Sequence, residues 1–105
     1  MDVMQRIKQQ IEKHPVLLFM KGTPDFPQCG FSARTTQVLK ACGVEKYVAV
    51  NVLADQEVYD NLKYYADFPT FPQLYIKGEL IGGSDIMLSM YEQGELQKLL
   101  AAASA

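Results

Sequence analysis

The segment KGTPDFPQCGFS, residues 21–32, carries one of only two cysteines in the chain. Cys29 stands where an apolar run, Val16–Met20, passes through a Gly/Pro-rich loop (22–28) into a helical pattern. A helix start offers unsatisfied N–H groups and the positive end of the helix dipole, and both stabilise a thiolate. Lys21 is the nearest cation in sequence that could add to that field. A thiolate is a nucleophile and also a soft metal ligand, so two chemistries are open. Redox pairs at such a turn are usually spaced Cys-x-x-Cys, but here the second position is Ser32. The alternative for Cys29 is a small buried apolar residue, and a Gly/Pro loop at a helix start is a poor place for that.

Cys42 is the opposite case. It shares an apolar helical face with Val38 and Leu39 and reads as core packing. At 1.5 Å per residue the two cysteines lie about 20 Å apart, at opposite ends of one helix. They can neither clasp one metal centre nor form a disulfide without unfolding that helix. The single histidine, His14, precedes a proline and reads as a surface residue; one histidine builds no metal site.

These residues need elements to hold them. Val3, Met4, Ile7 and Ile11 share one stripe, which predicts an amphipathic helix over 2–13 ended by Pro15. Val16–Met20 reads as a buried strand. Phe31, Val38, Leu39 and Cys42 keep helical spacing over 30–42, with Gly43 at the position of a C′ glycine. Residues 47–53 are rich in β-branched and aromatic side chains and predict a second strand. Asp55 predicts an N-cap for a helix to about Ala66, with Val58, Leu62 and Tyr65 inward. Residues 73–76 and 80–81 flank Lys77-Gly78, a hairpin signal. After Gly82-Gly83, Ser84 or Asp85 starts a helix through Met87, Met90 and Tyr91, with the methionines packing in the core. Gly94 breaks it, and Leu96, Leu99 and Leu100 face the core from a last helix that frays in the alanine-rich tail, 101–105. The order α-β-α-β-α-β-β-α-α fits an α/β fold with a small mixed sheet covered by helices on both faces.

The bulk numbers set bounds. The chain has 105 residues, enough for one domain spanning 1–105 and one core. A net charge of −2 argues against nucleic-acid binding through a bulk positive field. No apolar run is long enough to cross a bilayer. The N-terminus has no apolar segment of the secretory kind, and two cysteines are too few for a secreted disulfide framework. A reducing cytoplasm is the expected compartment.

Two separated motifs, KGTPDFPQCGFS and PTFPQLYIKGELIGGSD, are similar to those of the monothiol, CGFS-type glutaredoxins, in their single-domain bacterial form. The likeness covers essentially the whole chain, with an extra residue or so around 44–46. It implies a thioredoxin-like fold, a four-stranded mixed sheet flanked by helices, with Pro72 in the cis form. It implies binding of glutathione, a short peptide with two carboxylates. The backbone of Phe71, held by Pro72, would pair with the cysteinyl unit as an added strand does. The helix start at Ser84-Asp85 would take the γ-glutamyl carboxylate, Asp85 its amine, and Lys21 the glycine carboxylate. A plain helix cap at Ser84-Asp85 and a solvated lysine at 21 are the structural alternatives. The chain departs from the pattern at Tyr59, where relatives commonly carry Arg; its hydroxyl, or Lys63 one turn later, could compensate. Phe68 replaces a usual Trp, and Ser84 a frequent Cys. Phe26, Pro27 and Phe31 form an apolar rim near the thiol that suits either the core or docking.

The same resemblance implies a role as an iron–sulfur carrier. A [2Fe-2S] cluster generally takes four thiolate ligands. One chain offers one, so two chains and two glutathiones complete the set, giving a homodimer with Cys29 as the protein ligand. Ser32 then leaves no second thiol to displace the cluster. BolA-like proteins and apo iron–sulfur proteins are the implied partners. The alternative is a glutathione-dependent oxidoreductase in which Cys29 removes glutathione from a mixed disulfide and a second glutathione releases it. A third is a thioredoxin-like binding module whose thiol is incidental.

Overall fold

The computed structural model of the chain describes residues 2–44 and 46–104. Helix α1 (Val3–Lys13) starts from a capping box in which Asp2 accepts from the Gln5 N–H and Gln5 reaches back to the Asp2 N–H. It is followed by strand β1 (Val16–Met20), helix α2 (Gly30–Ala41), strand β2 (Val48–Asn51) and helix α3 (Gln56–Tyr65). Strands β3 (Gln73–Ile76) and β4 (Glu79–Gly82) form a hairpin, and helices α4 (Ser84–Glu92) and α5 (Glu95–Ser104) complete the chain. The sheet order is β2-β1-β3-β4. β1 runs parallel to β2 and antiparallel to β3, and β3 is antiparallel to β4. The parallel pair needs a crossover, which α2 supplies.

β1 explains the two layers. All five of its side chains are buried, and they alternate between two cores. Val16, Leu18 and Met20 point to Val38, Leu39, Met87, Leu96 and Leu100 of α2, α4 and α5. Leu17 and Phe19 point to Ile7, Ile11, Val58 and Leu62 of α1 and α3. Phe19 and Tyr75 meet edge to face at 5.7 Å. A strand buried on both faces must read as an unbroken apolar run, as this one does.

Most expected boundaries hold. Gly43 has φ +80 and closes a Schellman motif, with Val44 N–H donating to Leu39 C=O and Gly43 N–H to Lys40 C=O. Asp55 caps α3 by accepting from the Val58 N–H. Lys77 and Gly78 both take positive φ, the primed turn that matches strand twist. Cys42 and Met90 pack at the margin of the first core, and His14 caps the C-terminal end of α1, half-buried.

Four expectations are corrected. The strand predicted over 47–53 stops at Asn51, whose side-chain oxygen accepts from the Leu53 N–H and winds Val52–Ala54 into a 3-10 turn. Leu99 is 39% exposed, because Leu96 and Leu100 already fill the core-facing side of α5. The tail, expected as a frayed end from 101, is helical: α5 continues to Ser104 and buries Ala103. Phe31, expected on the apolar stripe of α2, is 57% exposed and lines an open cleft rather than the core. The extra residue expected around 44–46 includes Glu45, which lies outside the described residues.

The loop from β1 to α2 is tied down at each step. Thr23 and Phe26 bond each other's backbones, Gln28 N–H donates to Lys21 C=O, and Gly22 N–H donates to Asn51 Oδ1 at 2.9 Å. Gly22 has φ +92, and a Cβ there would lie 2.5 Å from the Phe26 carbonyl oxygen. Gly22→Ala is expected to destabilise the protein by at least ~1 kcal/mol. Thermal unfolding checks this, with a fall in Tm of about 4 °C or more expected for a chain of this size.

Candidate functional site

Cys29 is the N-cap of α2, and its sulfur does the work usually left to a capping oxygen: it accepts from the Ser32 N–H at 3.3 Å. The Ser32 hydroxyl lies 3.3 Å from the same sulfur. Ser32 is fully buried, and its Oγ accepts from the Lys21 N–H at 3.1 Å. With that lone pair engaged, the hydroxyl hydrogen is free to point at a thiolate. Burial pushes the Cys29 thiol up. Hydrogen bonds from the Ser32 hydroxyl and from the Ser32 and Phe31 N–H groups, with the charge of Lys21, outweigh it and hold the thiol below its ordinary value. Cys42 lacks such donors, and burial pushes its thiol up. Both cysteines are free.

Beside the thiol lies a cleft of about 730 Å³. Of the residues singled out from sequence, Lys21, Tyr59, Phe71, Pro72, Ser84 and Asp85 all line it, and so does Lys63. Cys29 is not in the lining. It stands at the rim, joined to Lys21 through Ser32 and followed two residues later by Phe31, which is in the lining. Phe26 is 74% exposed, so the aromatic rim near the thiol faces outward rather than into the core.

Each wall has its own support. The Phe71–Pro72 peptide is cis. At α4 the N-cap is Gly83, which has no side-chain cap, so neither Ser84 nor Asp85 is the cap, the first N–H groups have no side-chain acceptor there, and Gly83, Ser84, Asp85 and Ile86 all line the cleft. Gly83 also packs close to Pro72: a Cβ there would lie 3.3 Å from the Pro72 carbonyl oxygen. Asp85 lies 3.9 Å from Arg34 of α2 and stays largely exposed. Tyr59 packs on Phe71 with ring centroids 5.3 Å apart and the rings tilted by 44°.

Two supporting residues have no role in the sequence reading. Asn51 accepts from both Gly22 and Leu53 and so pins the loop that carries Lys21 to the end of β2. Gln73 is fully buried; its amide nitrogen donates to Phe68 C=O and Thr70 C=O, and its oxygen accepts from the Tyr75 hydroxyl. Burial also pushes the Tyr75 phenol up. This network holds the segment just before Pro72 that forms one wall of the cleft. The available signal was a glutamine opening an otherwise apolar strand, which must be satisfied if buried.

A four-stranded mixed sheet in this order, with a cysteine at the first helix after β1 and a cleft against the β3 entry, defines a thioredoxin-like glutaredoxin fold. The glutaredoxin family model matches residues 16–81. Glutaredoxin 4 of Buchnera aphidicola subsp. Acyrthosiphon pisum is 52% identical over 95% of this chain and 92% of its own length. Glutaredoxin 4 of Escherichia coli strain K12 is 48% identical over 96% of this chain and 87% of its own. The solution structure of reduced poplar apo GrxS14 superposes with a TM-score of 0.80 at 45% identity, over 95% of this chain and 91% of that one. The chain belongs to the glutaredoxin family, and the two Glutaredoxin 4 relatives are of its monothiol bacterial type.

Two outcomes test the site. The rate of Cys29 alkylation falls as pH drops through the thiol pKa; because that pKa is lowered, Cys29 should react ahead of Cys42 at pH 7. Ser32→Ala should move the midpoint of the pH–rate profile upward, and a profile unchanged by the substitution would contradict the role of the hydroxyl. Gln73→Leu leaves two carbonyls and a phenol without partners, which should cost ~1–3 kcal/mol in a denaturant melt.

Proposed function

We propose that the chain, acting over 1–105 as one glutaredoxin domain, binds glutathione in this cleft and carries a [2Fe-2S] cluster between two copies of itself. The observation that supports this most is the thiol inventory. Cys29 is the one accessible low-pKa thiol, Ser32 fills the position of a resolving cysteine, and no group of three or more His, Cys, Asp or Glu among the described residues could hold a metal. A single chain therefore supplies one thiolate where four are needed. The donor set fits the cluster only when a second chain and two glutathione thiols contribute.

In this reading Lys21 meets the glycine carboxylate, and the backbone at Phe71 pairs with the cysteinyl unit beside Pro72. The N-terminal N–H groups at Ser84 and Asp85 take the γ-glutamyl carboxylate, with the Asp85 side chain on the amine. Tyr59 contributes a wall of the cleft. The glutathione thiol would then lie beside Cys29. The internally bonded loop 23–28 sets how far that sulfur stands from Cys29. The cluster is cargo, passed to apo iron–sulfur proteins or held with a BolA-like partner in the cytoplasm. The net charge of −2 suits neither nucleic acid nor an anionic membrane surface, and no helix among the described residues is long and apolar enough to cross a bilayer.

The lowered thiol pKa also favours a second reading, glutathione-dependent reduction. The Cys29 thiolate attacks the glutathione sulfur of a protein–glutathione disulfide and expels the protein thiolate. A second glutathione thiolate then attacks the Cys29-bound glutathione sulfur, releasing glutathione disulfide and regenerating Cys29.

Anaerobic reconstitution with iron, sulfide and glutathione tests the carrier reading. A coloured species with the mass of two chains, lost in Cys29→Ser or when glutathione is omitted, is expected. A colourless monomer, or a cluster that survives Cys29→Ser, would overturn it. Brisk turnover of a glutathionylated substrate without cluster assembly would favour the reductase.

A further inference from the structure

Two lysines line the cleft, and they are held differently. Lys63 lies with its Nζ 5.2 Å from the centroid of Tyr64, a ring that is 68% exposed and outside the cleft lining. Lys21 lies with its Nζ 5.8 Å from the centroid of Tyr59, a ring that is itself part of the lining. Tyr59 is half-buried, packs against the second core and is braced on Phe71. The backbone of Lys21 is already fastened at both ends, its N–H to Ser32 Oγ and its C=O by the Gln28 N–H. Only the flexible stem remains free.

From this geometry we infer that Tyr59 is a positioning residue: its ring, braced on Phe71, holds the Lys21 ammonium over the cleft and so sets a preference for thiol peptides that end in a free carboxylate beyond the cysteine. The inference rests on the proposed glutathione site and names what its lysine end selects.

The physical reason lies in what the ring does not supply. An aromatic face attracts a cation through its quadrupole but carries no net negative charge. It restrains the ammonium without neutralising it, and the N–H donors turned away from the ring stay available to a ligand carboxylate. An acidic neighbour would restrain Lys21 more strongly and compete with that ligand. Asp60 lines the same cleft, but its carboxylate accepts from the Gln56 amide. Among the described residues Lys21 makes no ion pair. An arginine at position 59 would be a second cation in direct contact with ligand. A tyrosine instead acts through the lysine already there.

The test compares two disulfides, glutathione disulfide and the disulfide of γ-glutamylcysteine, which lacks the glycine and its carboxylate. The Cys29 thiolate attacks one sulfur, the Cys29–peptide disulfide forms, and one peptide thiolate leaves, so no further oxidant is needed. Mass spectrometry of the full chain at equilibrium gives the ratio of the two mixed disulfides. The wild-type protein should favour glutathione about fivefold, in keeping with one partly exposed charge contact held by a ring. Tyr59→Leu, which keeps apolar bulk in place of the ring, should lower that preference to within about twofold, and Tyr59→Phe should restore it. Lys21→Gln should lower it as far, and the Lys21→Gln, Tyr59→Leu double variant no further, since coupled residues are not additive. Full preference in Tyr59→Leu alongside its loss in Lys21→Gln would overturn the inference. So would a Tyr59→Phe protein as unselective as Tyr59→Leu, which would make the hydroxyl the contact. A wild-type chain that forms neither mixed disulfide would overturn the glutathione site itself, and one that forms both equally would overturn the Lys21 contact and the inference with it.

Discussion

Five consecutive apolar side chains in an extended strand cannot be satisfied by one hydrophobic layer. Val16, Leu18 and Met20 need cover on one face of the sheet and Leu17 and Phe19 on the other, and the two-core architecture follows from that need. β1 is an interior strand buried on both faces, and its end is tied to the following loop by hydrogen bonds. Lys21 leaves it, and the loop to α2 is bonded back to it through Gln28, Ser32 and Asn51. The thiol at Cys29 inherits its position from this chain of contacts. A reactive sulfur on a loop is placed precisely enough for chemistry only when the loop has no freedom left.

Electrostatics and packing use the same atoms here. The Ser32 hydroxyl joins the end of β1 to the sulfur and supplies a donor to its charged form. The buried amide of Gln73 holds the far wall of the cleft by satisfying two carbonyls while the Tyr75 hydroxyl satisfies its oxygen. Both residues look like ordinary polar fillers in a sequence. Both are fully buried, and a buried polar group with all its partners fixes geometry as an apolar side chain of the same size cannot.

The elements were largely legible because each carried a local signal. Asp2, Asp55, Gly43 and the Lys77-Gly78 pair mark ends and turns through side-chain or φ requirements that act within a few residues. The failures share a cause. The strand over 47–53 was overrun because Asn51 turns its side chain to Leu53 rather than continuing the ladder. Phe31 and Leu99 were misplaced because helical spacing says which residues share a face and not how far the covering layer extends.

For the candidate site, residue type and spacing nominated Cys29, and the family resemblance carried by the motifs in 21–32 and 69–85 added Lys21, Tyr59, Phe71, Pro72, Ser84 and Asp85. The signal for Cys29 is local: a cysteine before a helix start. Sequence alone determined that this chain has one usable thiol with no neighbour to resolve it. The rest was decided by tertiary structure. Tyr59 reaches the cleft from α3, Lys21 from β1 and Asp85 from α4, brought together because both faces of one strand had to be buried. The hydrogen bonds of Asn51 and Gln73 and the ring beneath the Lys21 ammonium join residues far apart in the chain, and such pairings are fixed by packing rather than by any local pattern.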